Sequence, residues 1–561
     1  MSNRFLDFDP RTDASEPPRV IGGGSLGGKA KGLIFAKEIM AEVDSDSFGV
    51  CFPESWHIGT EVFEEFSSRA QVENPECHDS IKEAYAWTRL PEALIRDLED
   101  LLHLASYPLA VRSSSYLEDS MRHSFAGKYL TLFIPNSGDL PQRLRQLETA
   151  IKLVYASTYN PNAVSYRKKH NLPEEKMGVI VQRLIGKQRG NLFYPEVSGV
   201  GYSKNYRRWT ERVSKEDGVV RIAFGLGTRC TGRGYARTFS LTNLALRPEG
   251  YNPEDIARYS QETFDALDMV TGELVSYNVN RRLETISYHP RMNRFAEVFS
   301  QSDRALLPLV PGMPLTRDHK LIFTFHGLEK SYPEIFVHVH RLFEILEKTM
   351  GMAVDIEFVF EARDSSFFVV QARPLTSYEE YSPVPIPKTS SANLILRGNR
   401  MLTNGRCQNI RYLVYVDYRE YQRSPDKFEV AREIGRINRS LEGERYILVG
   451  PGRWGSRDRL LGVPVVYNEI SNAGVLVELG FSRENFVPEL SYGTHFFADL
   501  EADGVLYMPV FDHLAGNVIN FAFFARQSDL TTFHPAVSVF TGRFSAHFSG
   551  DAQIGVVIND A

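Results

Sequence analysis

The chain has 561 residues, of which 24% are charged and 43% hydrophobic, and it carries a formal net charge of -6. That length exceeds one ordinary core, and the balanced composition excludes a disordered or low-complexity chain, so several folded domains are expected. The mild negative charge gives no pull toward nucleic acid or an anionic membrane, and neither is an expected partner.

Residues Met1–Pro18 form a polar, acidic tail without an apolar core. No later run approaches the roughly 20 apolar residues that span a bilayer, so neither export nor anchoring is expected. From Val20 onward GGGSLGGKAKG runs into LIFAKEIM, whose apolar residues recur at helical spacing, which places the glycines at a helix N-terminus. Pro108–Ser113, Lys128–Ile134 and Gly178–Ile185 read as strands, and Leu140–Tyr155 and Pro253–Leu267 as helices. Val354–Phe360 and Phe367–Gln371, joined by a polar turn, read as a hairpin whose period of two puts Asp355 and Glu357 on one face. After Arg373 the prolines, serines and charges of PLTSYEEYSPVPIPKTSSAN interrupt all periodicity, as in a linker. Leu394–Val416, Tyr446–Val449, Gly474–Leu479 and Gly504–Val510 then read as strands of a second, β-rich domain. Cys51, Cys77, Cys230 and Cys407 are far apart with no Cys-x-x-Cys pair, which argues against a zinc ribbon or disulfide framework and fits a reducing cytoplasm.

Three stretches carry chemistry. In Gly27, Gly28, Lys29, Ala30, Lys31, Gly32 the glycines let backbone approach phosphate oxygens and Lys29 adds a compact charge, although a flexible turn with a solvated lysine has the same composition. In AVRSSSYLEDSMRHSFAGKY, Arg112 closes a short strand with a fork of donors suited to phosphate, and Ser113 to Ser115 stand beside it. The bland alternative pairs Arg112 with Glu118 or Asp119 in a structural ion pair. In DIEFVF with VVQARPLT, Glu357 and Gln371 on neighbouring strands can place two oxygens on one Mg2+, with Arg373 on the same side; an acid and Arg373 pairing across the strands is the alternative.

In their order along the chain these blocks resemble the nucleotide-binding domain of phosphoenolpyruvate synthase and pyruvate phosphate dikinase, an ATP-grasp-like fold. The resemblance spans roughly Val20 to Thr376 and rests on Gly27–Lys29, Val111–Gly127, Tyr166 and Arg167, Val181 and Gln182, Gly225–Gly227 and Asp355–Pro374. It implies that Gly27, Gly28, Lys29, Arg112 and Ser113 contact ATP phosphates, that Glu357 and Gln371 hold the metal, and that Arg373 binds the terminal phosphate. It also implies that Gln182, Arg183 and Leu184 lie beside the adenine. In one departure, relatives carry an acid after the Gly-Leu-Gly turn whereas this chain has Thr228 and Arg229.

The dikinases pass phosphate to a histidine on a mobile domain and then to pyruvate on a TIM barrel, and this sequence shows neither segment. The part after the linker, about 170 residues, is too short for a barrel of ~250 residues. It has two conspicuous stretches, ILVGPGRWGSRDRLLGVPV with Arg453, Arg457, Asp458 and Arg459, and SYGTHFFADL with His495. The first suits an anionic substrate, and His495 suits a general base or phosphoryl carrier; a packed Trp454, solvated arginines and a structural histidine explain the same residues.

The expected architecture is α+β. A polar tail over residues 1–19 precedes an ATP-grasp-like ATP-binding domain over 20–376, with lobes about 20–180 and 181–376. A linker over 377–394 and a smaller β-rich α/β domain over 395–561 follow. The leading expectation is an ATP-dependent phosphotransferase using Mg2+, with Lys29, Arg112, Arg373 and His495 as catalytic candidates. Its acceptor would be a small molecule or protein, and a homo-oligomer is allowed. An ATP-grasp-type ligase acting through an acyl phosphate and a non-catalytic ATP-binding regulatory module are the alternatives.

Overall fold

The computed structural model describes residues 4–43, 49–72, 77–116, 129–169, 172–205, 216–230, 235–247, 250–280, 291–310, 315–375, 384–400, 402, 404–456, 462–482, 486, 490–491, 496–497, 500, 503–550 and 552–560. The chain divides into two compact units, one of residues 1–205 and 216–377, the other of residues 206–215 and 378–561. Its secondary structure is α+β.

In the first unit a five-stranded sheet has the order β1 (Arg19–Ile21), β3 (Ser55–Ile58), β6 (Met177–Arg183), β4 (Leu109–Ser115), β5 (Thr131–Ile134). All seven residues of β4 are buried, which is why LAVRSSS shows no alternation: the strand is central and covered on both faces. Helix α2 (Leu140–Ala156) supports this sheet. It starts on a capping box between Asp139 and Gln142, and it buries Leu147, Ile151 and Val154 at spacings of four and three.

A six-stranded sheet follows the order β11 (Arg237–Ser240), β10 (Val219–Ala223), β9 (Val197–Tyr202), β17 (Val354–Glu361), β18 (Ser366–Pro374), β2 (Val50–Cys51). Helix α4 (Glu334–Met350) buries Ile335, Val339, Leu342 and Leu346 in the same core as Ile356 and Phe358 of β17. Period two then leaves Asp355 and Glu357 on the opposite face of the sheet. Two smaller antiparallel sheets complete the unit, one ordered β13 (Leu274–Asn278), β12 (Thr263–Asp268), β8 (Leu192–Tyr194), β7 (Lys187–Arg189), the other β15 (Ala305–Pro308), β14 (Ala296–Ser300), β16 (His319–Phe323).

Pro253–Leu267 is not one helix. Asn252 caps a short α3 (Pro253–Tyr259), which ends at Ser260, and the chain then enters β12. The switch is tertiary in origin: the Gln261 amide donates to and accepts from the backbone of Phe224 at 2.8 Å each, and the residues after it pair with β13.

Helix α1 (Gly28–Glu42) lies directly on β18. A Cβ at Gly32 would stand 2.1 Å from the Ala372 carbonyl oxygen, and one at Gly27 (φ 78°) would stand 1.7 Å from that of Ser114. The glycines of this segment therefore serve close packing as well as backbone freedom at the helix start.

At the start of β7 the buried Glu361 carboxylate lies 3.3 Å from Lys187, and buried Glu196 pairs with Arg189 and Arg291. Burial raises the Glu361 carboxyl to about 6, with Glu196 adding to the rise and Lys187 opposing it.

The second unit is built on an eight-stranded sheet. Its order is β23 (Leu506–Phe511), β22 (Ala473–Gly480), β21 (Tyr446–Pro451), β20 (Gly405–Val416), β25 (Val537–Ser549), β26 (Ile554–Asn559), β19 (Leu394–Gly398), β24 (Val518–Ile519). Strands β20 to β23 are parallel and the remainder pair antiparallel. Residues of β21 and β22 enter two different apolar clusters, so the parallel part is covered on both faces. Leu394–Val416 forms two strands, β19 and β20, with the polar residues from Asn399 to Asn404 between them.

Among the described residues no helix is long and apolar enough to cross a membrane, and all four cysteines are free.

Two predictions follow from these contacts. Gly32→Ala forces α1 away from β18 and lowers the stability of the first unit by about 1–3 kcal/mol, read by urea titration. For Glu361, the native carboxyl keeps its proton above the ordinary value of 4.5, so stability falls as pH rises toward about 6. Glu361→Gln matches the wild type below that window and exceeds it by about 2 kcal/mol above pH 7; equal stability at both ends would count against this origin of the shift.

Candidate functional site: a carboxylate ringed by cations

The centre of the site is the β17–β18 hairpin, where Asp355 stands opposite Arg373 and Glu357 opposite Gln371, with a register shift after Glu357. Arg112, fourth in β4, reaches across to this hairpin from the other sheet. Its NH2 donates to Glu357 Oε2 at 2.8 Å and to Gln371 Oε1, and its NH1 donates to the Val370 carbonyl at 2.8 Å and to Gln182 Oε1 at 3.3 Å. The Arg112 side chain keeps only 10% of its surface accessible, against 31% for Glu357, so the carboxylate is the open end of the pair. The partner of Arg112 is thus neither Glu118 nor Asp119, both of which, like Ala126 and Gly127, lie outside the described residues.

Burial alone would push the Glu357 carboxyl upward, but Arg112, Arg373 and Lys29 together outweigh it and hold the group below its ordinary value. Glu357 is therefore ionised at neutral pH. Arg373 is oriented by Asp355, which accepts from its Nε at 2.8 and 2.9 Å and from its NH2 at 2.8 Å. Lys29, in the first turn of α1, donates to Ser113 Oγ at 3.2 Å. The helix start is tied to β4 a second time, since Ser114 Oγ accepts from Ala30 N–H at 3.0 Å and donates to the Leu26 carbonyl at 2.7 Å. Gly27 and Gly28 thus form the first turn over the end of β4, where helix amides favour an anion.

Gln371 Oε1 and Glu357 Oε2 converge on one cationic nitrogen, so both oxygens can face a common cation. Magnesium with phosphate and water needs only one or two protein oxygens, and these two fit that demand. Among the described residues no group of three or more His, Cys, Asp or Glu could cage a metal by itself.

The Gln182 side chain faces Arg112, and its amide also lies 3.3 Å from Ser55 Oγ. The N–H groups of Arg183 and Leu184 donate to the carbonyls of Glu54 and Pro108. Leu184 joins a small apolar cluster with Ala110, Phe193, Leu226 and Leu267, to which Phe133 and Met269 add partly buried surface.

Two residues of the site escaped the sequence reading. Asp265 in β12 accepts from Thr228 Oγ1 and from Arg229 NH2 at 2.7 Å each and from Ser276 Oγ at 2.6 Å. A carboxylate therefore does stand at the Gly-Leu-Gly turn, donated by a distant strand. Arg221 shares a cross-strand row with Val200, Glu357 and Gln371, and its guanidinium sits 5.6 and 5.3 Å from the rings of Tyr202 and Tyr235. An arginine inside the apolar run VVRIAF was the available signal; nothing local marks Asp265.

In the second unit Trp454 is buried, and its backbone N–H donates to Glu478, which also accepts from the Ser491 backbone N–H at 2.9 Å and Tyr507 O–H at 2.6 Å. His495, Arg457, Asp458 and Arg459 lie outside the described residues.

The segment from residue 24 to residue 393 matches the family model for the pyruvate phosphate dikinase AMP/ATP-binding domain. The chain is 33% identical to the phosphoenolpyruvate synthase of Deinococcus radiodurans over 157 residues, 26% of this chain and 18% of that protein. It is 20% identical to the probable phosphoenolpyruvate synthase of Pyrococcus horikoshii over 342 residues, 60% of this chain and 33% of that one. For the probable phosphoenolpyruvate synthase of Pyrococcus abyssi the figures are 20% over 326 residues, 58% and 31%. The chain thus spans no more than a third of the length of these curated relatives. With most of its first unit inside the match and the cationic site at its centre, the chain belongs to the pyruvate phosphate dikinase AMP/ATP-binding domain family.

Proposed function

We propose that this protein transfers a phosphoryl group from Mg-ATP to an acceptor, with the first unit as the ATP-binding half. The observation that carries this reading is the gathering of Arg112, Arg373 and Lys29 around the ionised carboxylate of Glu357. Phosphoryl transfer asks the protein mainly for positioning and for fixed charge where negative charge accumulates, and this arrangement supplies both. Lys29 and the amides of the α1 start hold phosphate oxygens beside Ser113. Arg373, kept rigid by Asp355, faces the terminal phosphate. Glu357 and Gln371 hold the metal, which supplies charge neutralisation at the phosphates when bound. The apolar cluster around Leu184 and Leu226 provides a surface for the base, and the group of Thr228, Arg229 and Asp265 lies at its edge.

His495 is proposed as the acceptor or general base of the second unit on its sequence context alone. The magnesium requirement, the ATP-grasp-like construction and a cytoplasmic setting belong to the same proposal.

Incubation of the purified protein with Mg-ATP, with and without a pool of small metabolites, discriminates between the fates of phosphate. AMP together with an acid-labile phosphohistidine supports a dikinase-like route, and mapping the label tests His495. ADP formed only with the pool supports a kinase or ligase and identifies the acceptor by its consumption. Saturable ATP binding with no product overturns phosphotransfer in favour of a regulatory module. Lys29→Met is expected to lower turnover roughly 100- to 1,000-fold with little change in thermal unfolding, as loss of one preorganised charge does; unchanged turnover removes Lys29 from the phosphate site.

A further inference from the structure

Arg112 and the metal assigned above make demands on the same two oxygens. One nitrogen of the guanidinium donates to both Glu357 Oε2 and Gln371 Oε1, while the other donates to Gln182 Oε1 and to the Val370 carbonyl. A magnesium ion bonded to the same pair would sit about 2.0–2.1 Å from each oxygen. The side on which the two oxygens converge is already held by a guanidinium nitrogen 2.8 Å from Glu357 Oε2 and bonded to Gln371 Oε1, and two cations so close repel strongly. They cannot share the position.

We propose that Arg112 and the divalent ion are alternative occupants of the position between Glu357 and Gln371, so that the ion enters by displacing the guanidinium toward the phosphates. The proposal rests on the assignment of Glu357 and Gln371 to the metal. Glu357 is never left without a counter-charge in this scheme, because a buried carboxylate stripped of its partner is strongly destabilising. The exchange also has a mechanical side. Arg112 belongs to the five-stranded sheet, and Glu357, Gln371 and Val370 belong to the six-stranded one, so its release removes one of the ties between them, while the Gln182 amide and α1 keep the others. Metal entry, phosphate capture by Arg112 and the loss of its tie between the two sheets are thereby one event.

The test uses Mn2+ as the probe and the full chain, with no nucleotide, the free ion being read by electron paramagnetic resonance. Arg112→Ala is expected to bind Mn2+ about tenfold or more tightly than the wild type, since it removes the cation that competes for the two oxygens. The gain disappears in the double variant Arg112→Ala with Glu357→Gln. Equal or weaker Mn2+ binding by Arg112→Ala, or a gain that persists in the double variant, overturns the exchange. Should Arg112→Ala fail to fold, Arg112→Lys decides alone: its single ammonium cannot reach all four partners, so Mn2+ binding stronger than wild type is expected and wild-type binding overturns the proposal. Mg-ATP turnover by the wild type, measured in parallel, separates the two readings. Turnover without the Mn2+ gain rejects the exchange and leaves phosphotransfer standing, whereas the Mn2+ gain without ATP binding rejects phosphotransfer and leaves the cation position standing.

Discussion

The first unit depends on the pairing of Arg112 with Glu357. The guanidinium of Arg112 could not be buried alone at tolerable cost, and the partly exposed carboxylate of Glu357 answers its charge from the open side. The pair does more than neutralise charge. Arg112 comes from a strand covered on both faces, and its donors end on a hairpin that lies in a different sheet, so one guanidinium joins two layers that share no backbone ladder. Lys29 and Arg373 then add to the same field, which explains why Glu357 stays charged although burial opposes it.

The turn at Gly225–Gly227 shows how a site can keep its charge while changing its residues. The resemblance implied an acid directly after this turn; the chain has Thr228 and Arg229 there, and the carboxylate at the turn is that of Asp265, held by both of them and by Ser276. The local charge differs from that of a lone acid because Arg229 comes with it.

Much of this was legible in the chain itself. The strand around Arg112, the α1 start at the glycines and the hairpin of Asp355, Glu357, Gln371 and Arg373 follow from period and turn chemistry, whereas the pairing of Asp355 with Arg373 and the register shift after Glu357 do not. The partner of Arg112 was not legible, since Glu118 and Asp119 are near in sequence while Glu357 is near only after two sheets have formed. Gln182 illustrates the same limit: its type and strand were readable, but its hydrogen bond to Arg112 depends on strand order. β12 was hidden because its residues continue the apolar spacing of α3, and only the Gln261 contact with Phe224 and pairing with β13 decide against a longer helix.

In the second unit, Glu478 has a consequence for motion. A single buried carboxylate holds the N–H of Trp454, the N–H of Ser491 and the hydroxyl of Tyr507, so the glycine-rich segment after β21 and the segment at Ser491 are fastened to one post. Displacing either one costs the buried carboxylate a donor. The two stretches, far apart in the sequence, thus share an anchor, and loosening Glu478 would loosen Trp454 and Ser491 together.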